Sequence, residues 1–364
     1  MPNVITPSRY LALDAVRGLT IAMMILVTTP GSWEFIYPVF RHAEWHGCTP
    51  TDLVFPFFLF VVGSAMYFSL QKIGMQISAS AAKNILRRTL IIFALGLFFN
   101  AVISGWENLR IMGVLQRIAL AYAGAAFILL LFNRSAIYII AAFLLIGYWL
   151  LLAFGGGADP YGLNGNLVGR VDIFLLGAKH MYSGTGMPFD PEGILSTLPA
   201  IVNVLIGFEL TRYVVAQQDK WRSLMVLISL GALFILLALI WNYWLPINKS
   251  LWTSSFVIYT AGYFCLALAL FIWLVDIKKI TALTYPLIVY GSNSIFIYIL
   301  APFWVRAYLF VPVGEGSNLY DGLFLLLCKL WQPVNASLIF ALLHVILFWC
   351  ISWLLYKRSL FIKV

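Results

Sequence analysis

Stretches of about twenty largely apolar residues recur along almost the whole chain, and that is the length an α-helix needs to cross a hydrocarbon layer. They fall at 11–29, 52–71, 87–104, 113–132, 136–154, 193–214, 223–241, 252–274, 285–304 and 336–356. Such a chain has few folds open to it, because in lipid every backbone polar group must be satisfied internally. Composition agrees: 62% of the 364 residues are hydrophobic and 10% are charged, with a mean hydropathy of +0.94. Soluble domains carry roughly 25% charged residues, and a soluble fold has no way to hide this much apolar surface from water. The 13 Trp and 18 Tyr suit interfacial belts. The expected fold is all-α, a polytopic membrane helix bundle of about ten transmembrane helices forming a single domain over 1–364. Segment 319–331 is too short to span and reads as an interfacial or re-entrant helix.

The net charge of +9 would suggest nucleic-acid binding in a soluble protein. Here it follows from positive-inside loops, and no nucleic-acid partner is expected. Lys72, Lys83, Arg87 and Arg88 lie in one loop, Arg212, Lys220 and Arg222 in another, Lys278 and Lys279 in a third, and Lys357, Arg358 and Lys363 in the tail. With 319–331 not spanning, all of these share one face if both termini are cytoplasmic. The loops 30–51, 155–192, 242–251 and 305–335 then face outward. Asp14 and Arg17 interrupt the first apolar run, which predicts an uncleaved, inserting first helix rather than a signal peptide. Cys48, Cys265, Cys328 and Cys350 show no pairing or metal spacing.

The loop PGSWEFIYPVFRHAEWHGCTP carries the densest chemistry. It places Arg41, His42, Glu44, Trp45 and His46 together, just before Asp52 at the mouth of the second span. A histidine titrates near neutrality and accepts a proton or an acyl group, and a carboxylate such as Glu44 or Asp52 can orient it. An interfacial loop that merely meets water and headgroups has the same composition. His42 and His46 at i and i+4 can also hold a metal if helical, but no third ligand stands out and no metal is expected. Within the spans, Asp14 with Arg17, Gln116 with Arg117, Asn203, Glu209 and His344 are costly in lipid and mark either structural pairs or a polar cavity. Gly155–Gly156–Gly157 reads as a flexible turn. Asp190 and Glu192 stand at the start of the 193–214 helix, where negative charge suits the dipole; they can equally bind a cationic or hydroxylated substrate.

Five blocks, LDAVRGLTIAMMILV, RHAEWHGCTPTDLVFPFFLFVVG, LRIMGVLQRIALAY, FDPEGILSTLPAIVNVLIG and YGSNSIFIYIL, resemble the heparan-α-glucosaminide N-acetyltransferase family. The likeness runs from Tyr10 to Val364. It implies a single transmembrane acyltransferase domain that matches the ten-helix core of the family, without the luminal domain and further helix of lysosomal members. It also implies transfer of acetyl from cytoplasmic acetyl-CoA to a glucosamine-type amine, or a glycan end, across the membrane, here the bacterial inner membrane. The family's active-site histidine falls on His42, and Asp52 matches its pattern. Thr28 stands where the family commonly has Asn, and Met112 where it has Pro, so these positions bear on acceptor choice.

The chemistry this implies needs His42 as general base or acetyl acceptor and cationic or helix-terminal contacts for the phosphates of CoA. Arg17, Arg87, Arg88, Ser292 and Asn293 are the candidates for the donor, and Trp45, Asp190 and Glu192, with Trp33, for the sugar. A homodimer in a lipid surround is compatible with such an enzyme. Two other classes stand beside it. An amino-sugar permease would show paired, Gly/Pro-interrupted spans, which are not evident. An O-acyltransferase acting on envelope glycans is the third.

Overall fold

The computed structural model describes residues 10–314 and 317–362. Lys363, counted with the basic tail, lies outside them. The regular structure among the described residues is helical, with isolated bridges and no strand. The helices are α1 (Leu11–Thr28), α2 (Val54–Gln71), α3 (Ala79–Ser104), α4 (Val114–Leu131), α5 (Arg134–Gly155), α6 (Leu167–Leu176), α7 (Thr197–Ala216), α8 (Lys220–Trp241), α9 (Ser254–Phe271), α10 (Thr281–Ser292), α11 (Ser294–Leu309), α12 (Leu319–Cys328) and α13 (Pro333–Lys357). Among the described residues nine helices are long and apolar enough to cross a membrane. The chain is a multi-pass membrane protein.

Local chemistry accounts for where the helices start. The side chains of Ser78, Asn133, Asn166, Asp219 and Asn318 each accept a hydrogen bond from the first turn of the helix that follows, satisfying amides that have no intrahelical partner. Two features depart from the sequence reading. The run 285–304 is not one straight span: α10 and α11 meet at 77° around Asn293. The 155–192 loop holds a ten-residue helix of its own, α6. Helix α12 is short, as expected, at ten residues.

The described residues divide into two compact units. The first takes those of Met1–His42, Thr49–Val54 and Ala267–Lys363. In it α1 packs chiefly on α10 and also on α13. Small residues allow the close approach: a Cβ on Gly18 would lie 1.8 Å from the Leu287 carbonyl oxygen, and one on Gly291 2.3 Å from that of Asp14. Lipid gives no hydrophobic drive between helices, so this backbone proximity is what binds them. Tyr320, Phe324 and Phe340 of α12 and α13 form a small core that also takes in Phe35. The Tyr320 hydroxyl donates to the Pro30 carbonyl, and Gly31 N donates to Ser337 O at 3.2 Å. Helix α12 therefore buttresses the loop that leads to His42.

The second unit takes Ala43–Cys48 and Phe55–Leu266. Here α4 packs on α3 and α7, and α7 on α5 and α8. Helices α2 and α7 approach through a reciprocal pair: a Cβ on Gly63 would lie 2.0 Å from the Val204 carbonyl oxygen, and one on Gly207 2.0 Å from that of Phe60.

Candidate active site

The second span opens with a motif visible in the sequence, Thr49-Pro50-Thr51-Asp52. Pro50 occupies the first position of a short 3-10 turn, Pro50–Leu53, that runs into α2, a place where a missing N–H costs nothing. Asp52, two residues on, reaches back, and its Oδ2 accepts from Thr49 N at 3.0 Å, as in a capping box. The Thr49 hydroxyl lies 3.0 Å from the same oxygen and 2.7 Å from the Arg41 carbonyl. This leaves Oδ1 for His42, whose Nδ1 sits 2.6 Å away.

A carboxylate only accepts, so Nδ1 carries the proton and the lone pair belongs to Nε2. The burial is asymmetric: the Asp52 side chain is 1% exposed and the His42 side chain 55%. A shielded carboxylate thus orients a solvent-facing imidazole, which is the arrangement of a base or nucleophile and its orienting group. Arg41 stiffens the approach by donating to Ile36 O at 3.2 Å and Glu34 O at 3.1 Å. The stretch from Arg41 to Gly47 is not helical, so the spacing of His42 and His46 does not put them on one helix face. Among the described residues no group of three metal-binding side chains occurs.

Trp45 donates its Nε1–H to Tyr161 O at 2.7 Å and meets the Phe189 ring edge-on with centroids 5.5 Å apart. Gly47 N donates to Ile247 O at 2.7 Å. The Asn248 amide lies 3.3 Å from His46 Nδ1. Desolvation lowers the His46 pKa, against the opposing pull of Asp159.

Asp190 and Glu192 lie in a closed ion cluster. Arg110 Nε donates to Asp190 Oδ2 at 2.9 Å, and its Nη2 to Asp190 Oδ1 at 2.7 Å and Glu192 Oε2 at 2.5 Å. The guanidinium also stands 4.9 Å from the Tyr182 ring centroid. Burial works against the Arg110 charge, but the two carboxylates more than offset it and the pKa rises. Asp190 has no exposed surface. These acids do not cap α7 either. The amides of Ile194 and Leu195, in the turn before α7 begins at Thr197, donate to Asp172 Oδ1 at 3.0 and 3.2 Å. Burial pushes the Asp172 carboxyl up to about 6, with the amides of Leu195 and Ile194 opposing. A Cβ on Gly193 would lie 1.6 Å from Asp172 Oδ2, so only glycine lets the acid close on this turn.

Arg117 is fully buried over the Trp252 ring, 4.8 Å from its centroid, and donates to Gly193 O at 3.2 Å and to Ser196 Oγ. Asn100 donates to Arg110 O and Met112 O at 2.8 and 3.1 Å, bracketing the turn before α4. Thr28 turns back on its own helix, donating to Met24 O at 2.7 Å.

The residues expected to hold a donor fall in two places. Arg17 Nη1 donates to Asp14 Oδ1 at 3.1 Å and Gly291 O at 3.4 Å, which sets it beside Ser292 and Asn293. Ser292 donates to Val289 O. Both ends of the Asn293 carboxamide engage the tail: Nδ2 donates to Leu360 O at 3.0 Å, and Oδ1 accepts from Ile362 N at 2.9 Å. Arg87 and Arg88 lie on α3 in the other unit, Arg87 exposed and Arg88 4.9 Å from the Tyr122 ring centroid.

The sequence does not single out Arg110, Asp172 or Asn248. Each acts through a partner 22 or more residues away, and nothing local signals such pairings.

Residues 9–247 match the family described as heparan-alpha-glucosaminide N-acetyltransferase, catalytic. The chain belongs to this family. The proteins named heparan-alpha-glucosaminide N-acetyltransferase from Homo sapiens and Mus musculus are each 26% identical to it over 98% of its length. The chain covers 60% and 61% of those relatives. The matched region of the N-acetyltransferase family contains the His42–Asp52 pair and the Arg110 cluster, and stops within the loop that holds Asn248.

Proposed function

We propose that the chain is a transmembrane N-acetyltransferase, taking acetyl from acetyl-CoA on the cytoplasmic side and transferring it to the amine of a glucosamine-type sugar on the other. The observation that carries this reading is His42 Nδ1 at 2.6 Å from the shielded Asp52 carboxylate. Family membership and the names of the relatives supply the reaction class. Both termini and the Lys/Arg-rich loops face the donor, and the whole of 1–364 works as one acyltransferase domain.

A thioester carbonyl is already activated, so the enzyme must position it and manage one proton. The neutral amine of the sugar attacks the carbonyl carbon, and its proton passes to His42 Nε2 as the C–N bond forms. The C–S bond then breaks, and protonated His42 returns that proton to the thiolate sulfur. Amide and free CoA thiol result. Asp52 holds the imidazole in the tautomer this requires and stabilises the transient imidazolium.

Arg17 is a charge-assisted donor suited to the phosphates of CoA, and Arg87 and Arg88, in the other unit, are a separate set of such donors. Ser292 and Asn293 shape the turn beside Arg17. On the acceptor side Trp45 offers an oriented ring to the sugar. Asp190 and Glu192 contribute through Arg110, which they hold in place.

The test uses proteoliposomes with acetyl-CoA sealed inside and glucosamine outside. Wild type is expected to release N-acetylglucosamine. His42→Ala is expected to make none above background while still binding acetyl-CoA by calorimetry. Full activity in that variant, or uptake of labelled glucosamine without any donor, would overturn the reading.

A further inference from the structure

The second histidine of the loop is held in the opposite tautomer to the first. Asn248 is fully buried, and its carboxamide orientation is fixed: Oδ1 accepts from Leu251 N at 2.8 Å, so Nδ2 is the group that faces His46. An amide nitrogen only donates, so His46 Nδ1, 3.3 Å away, must accept and carries no proton. In the neutral ring the proton then sits on Nε2, which makes no hydrogen bond with any described residue. His42 is the reverse, because Asp52 forces its proton onto Nδ1. One imidazole is set up to take a proton and the other, four residues on, to offer a hydrogen bond.

The surroundings of His46 match a polyol. The ring of His46 is exposed and lies beside Trp45, centroids 6.3 Å apart at 64°. Trp45 is itself fixed by its bond to Tyr161 O. Asp159 is exposed and near enough to act electrostatically on His46. A fixed N–H donor, a carboxylate acceptor and an indole face form the set that binds a sugar ring. One hydroxyl accepts from the imidazole, a neighbour donates to the carboxylate, and the apolar face of the ring covers the tryptophan.

We infer that His46 Nε2–H, with Asp159, brackets hydroxyls of the acceptor over Trp45 and so determines which amino sugar is used. This rests on the proposed acetyl transfer and deepens it: the acceptor is recognised by its ring hydroxyls as well as its amine.

A site built to bond a hydroxyl rejects the analogue that lacks it. Steady-state kinetics of the full-length protein in vesicles, with glucosamine and its ring-deoxy analogues, test this. His46→Ala is expected to raise the KM for glucosamine about fivefold to twentyfold. It should leave the KM for acetyl-CoA within about twofold of wild type. His46→Asn and His46→Gln, which keep an N–H donor, are expected to recover most of the loss. Wild type should penalise one deoxy analogue by a similar factor, and His46→Ala should not. Asp159→Asn supplies a second variant, expected to shift the preference to a different hydroxyl. An unchanged glucosamine KM and unchanged deoxy preference in His46→Ala would overturn the inference while leaving the proposed function standing. Wild type that acetylates no amino sugar would overturn both.

Discussion

Two clusters of charged side chains behave in opposite ways. In the first, around the start of α2, a buried carboxylate orients an imidazole that is more than half exposed. In the second, around Arg110, two carboxylates close on a guanidinium whose own side chain is only 20% exposed, and Asp190 has no surface at all. An exposed base poised on a buried acid can meet a substrate. A sealed ion cluster has spent its charges on one another, and breaking it leaves a buried charge uncompensated. The difference teaches where substitution should touch chemistry and where it should touch folding.

The sharpest test of the contrast is His42→Ala. Removing a base or nucleophile costs on the order of 10²–10⁴ in rate, so acetyl transfer should fall to background. The exposed site should leave thermal unfolding in detergent almost unchanged. Asp52→Asn comes next: an amide facing Nδ1 favours the other tautomer, and a loss of about 10²–10³ in kcat is expected with acetyl-CoA binding retained. An equal loss of unfolding temperature in either variant would erase the distinction.

Asp190→Ala should invert the pattern. It leaves Arg110 with Glu192 alone and should cost about 3 kcal/mol of stability, read as a lowered midpoint of thermal unfolding. The kcat of the folded fraction should change far less than in Asp52→Asn.

The smallest effect belongs to Asp172. Its carboxyl titrates near 6 when folded and near 4 when unfolded, so the folded state keeps a proton that the unfolded chain has lost. Stability should therefore decline as pH rises from about 4 to about 6 and level off above, by roughly 2–3 kcal/mol in all. Asp172→Asn, which keeps an acceptor for the amides of Ile194 and Leu195, should flatten this slope and stabilise the protein at pH 7.5. A slope that persists in the variant would place its origin elsewhere.

Hydropathy and helix-start chemistry made much of the fold legible, because both act over one or two turns of chain. Nine of the expected spans appear as such helices. The start of the second span near Asp52 was legible, but Glu44 and Asp52 stood equally as acids able to orient His42 until the structure paired His42 with Asp52. The break at Asn293 was hidden because the apolar run continues through it, although Gly291 is a weaker helix former than its neighbours. The Asn293 carboxamide bonds to Leu360 and Ile362, about 70 residues further on, which no local pattern announces.

The residues alone specify a membrane protein built of helices, with an imidazole and carboxylates close together in the loop before α2. Transfer free energy and helix capping are local quantities that residues contribute one window at a time. Which charges are available follows from packing between distant segments. Arg110 meets Asp190 across 80 residues of chain, Asn248 meets His46 across 202, and Asp172 accepts from Ile194 N across 22. Those pairings depend on three-dimensional packing, and in a low-dielectric interior the nearest partner, rather than the residue type, sets what an acid or a histidine can do.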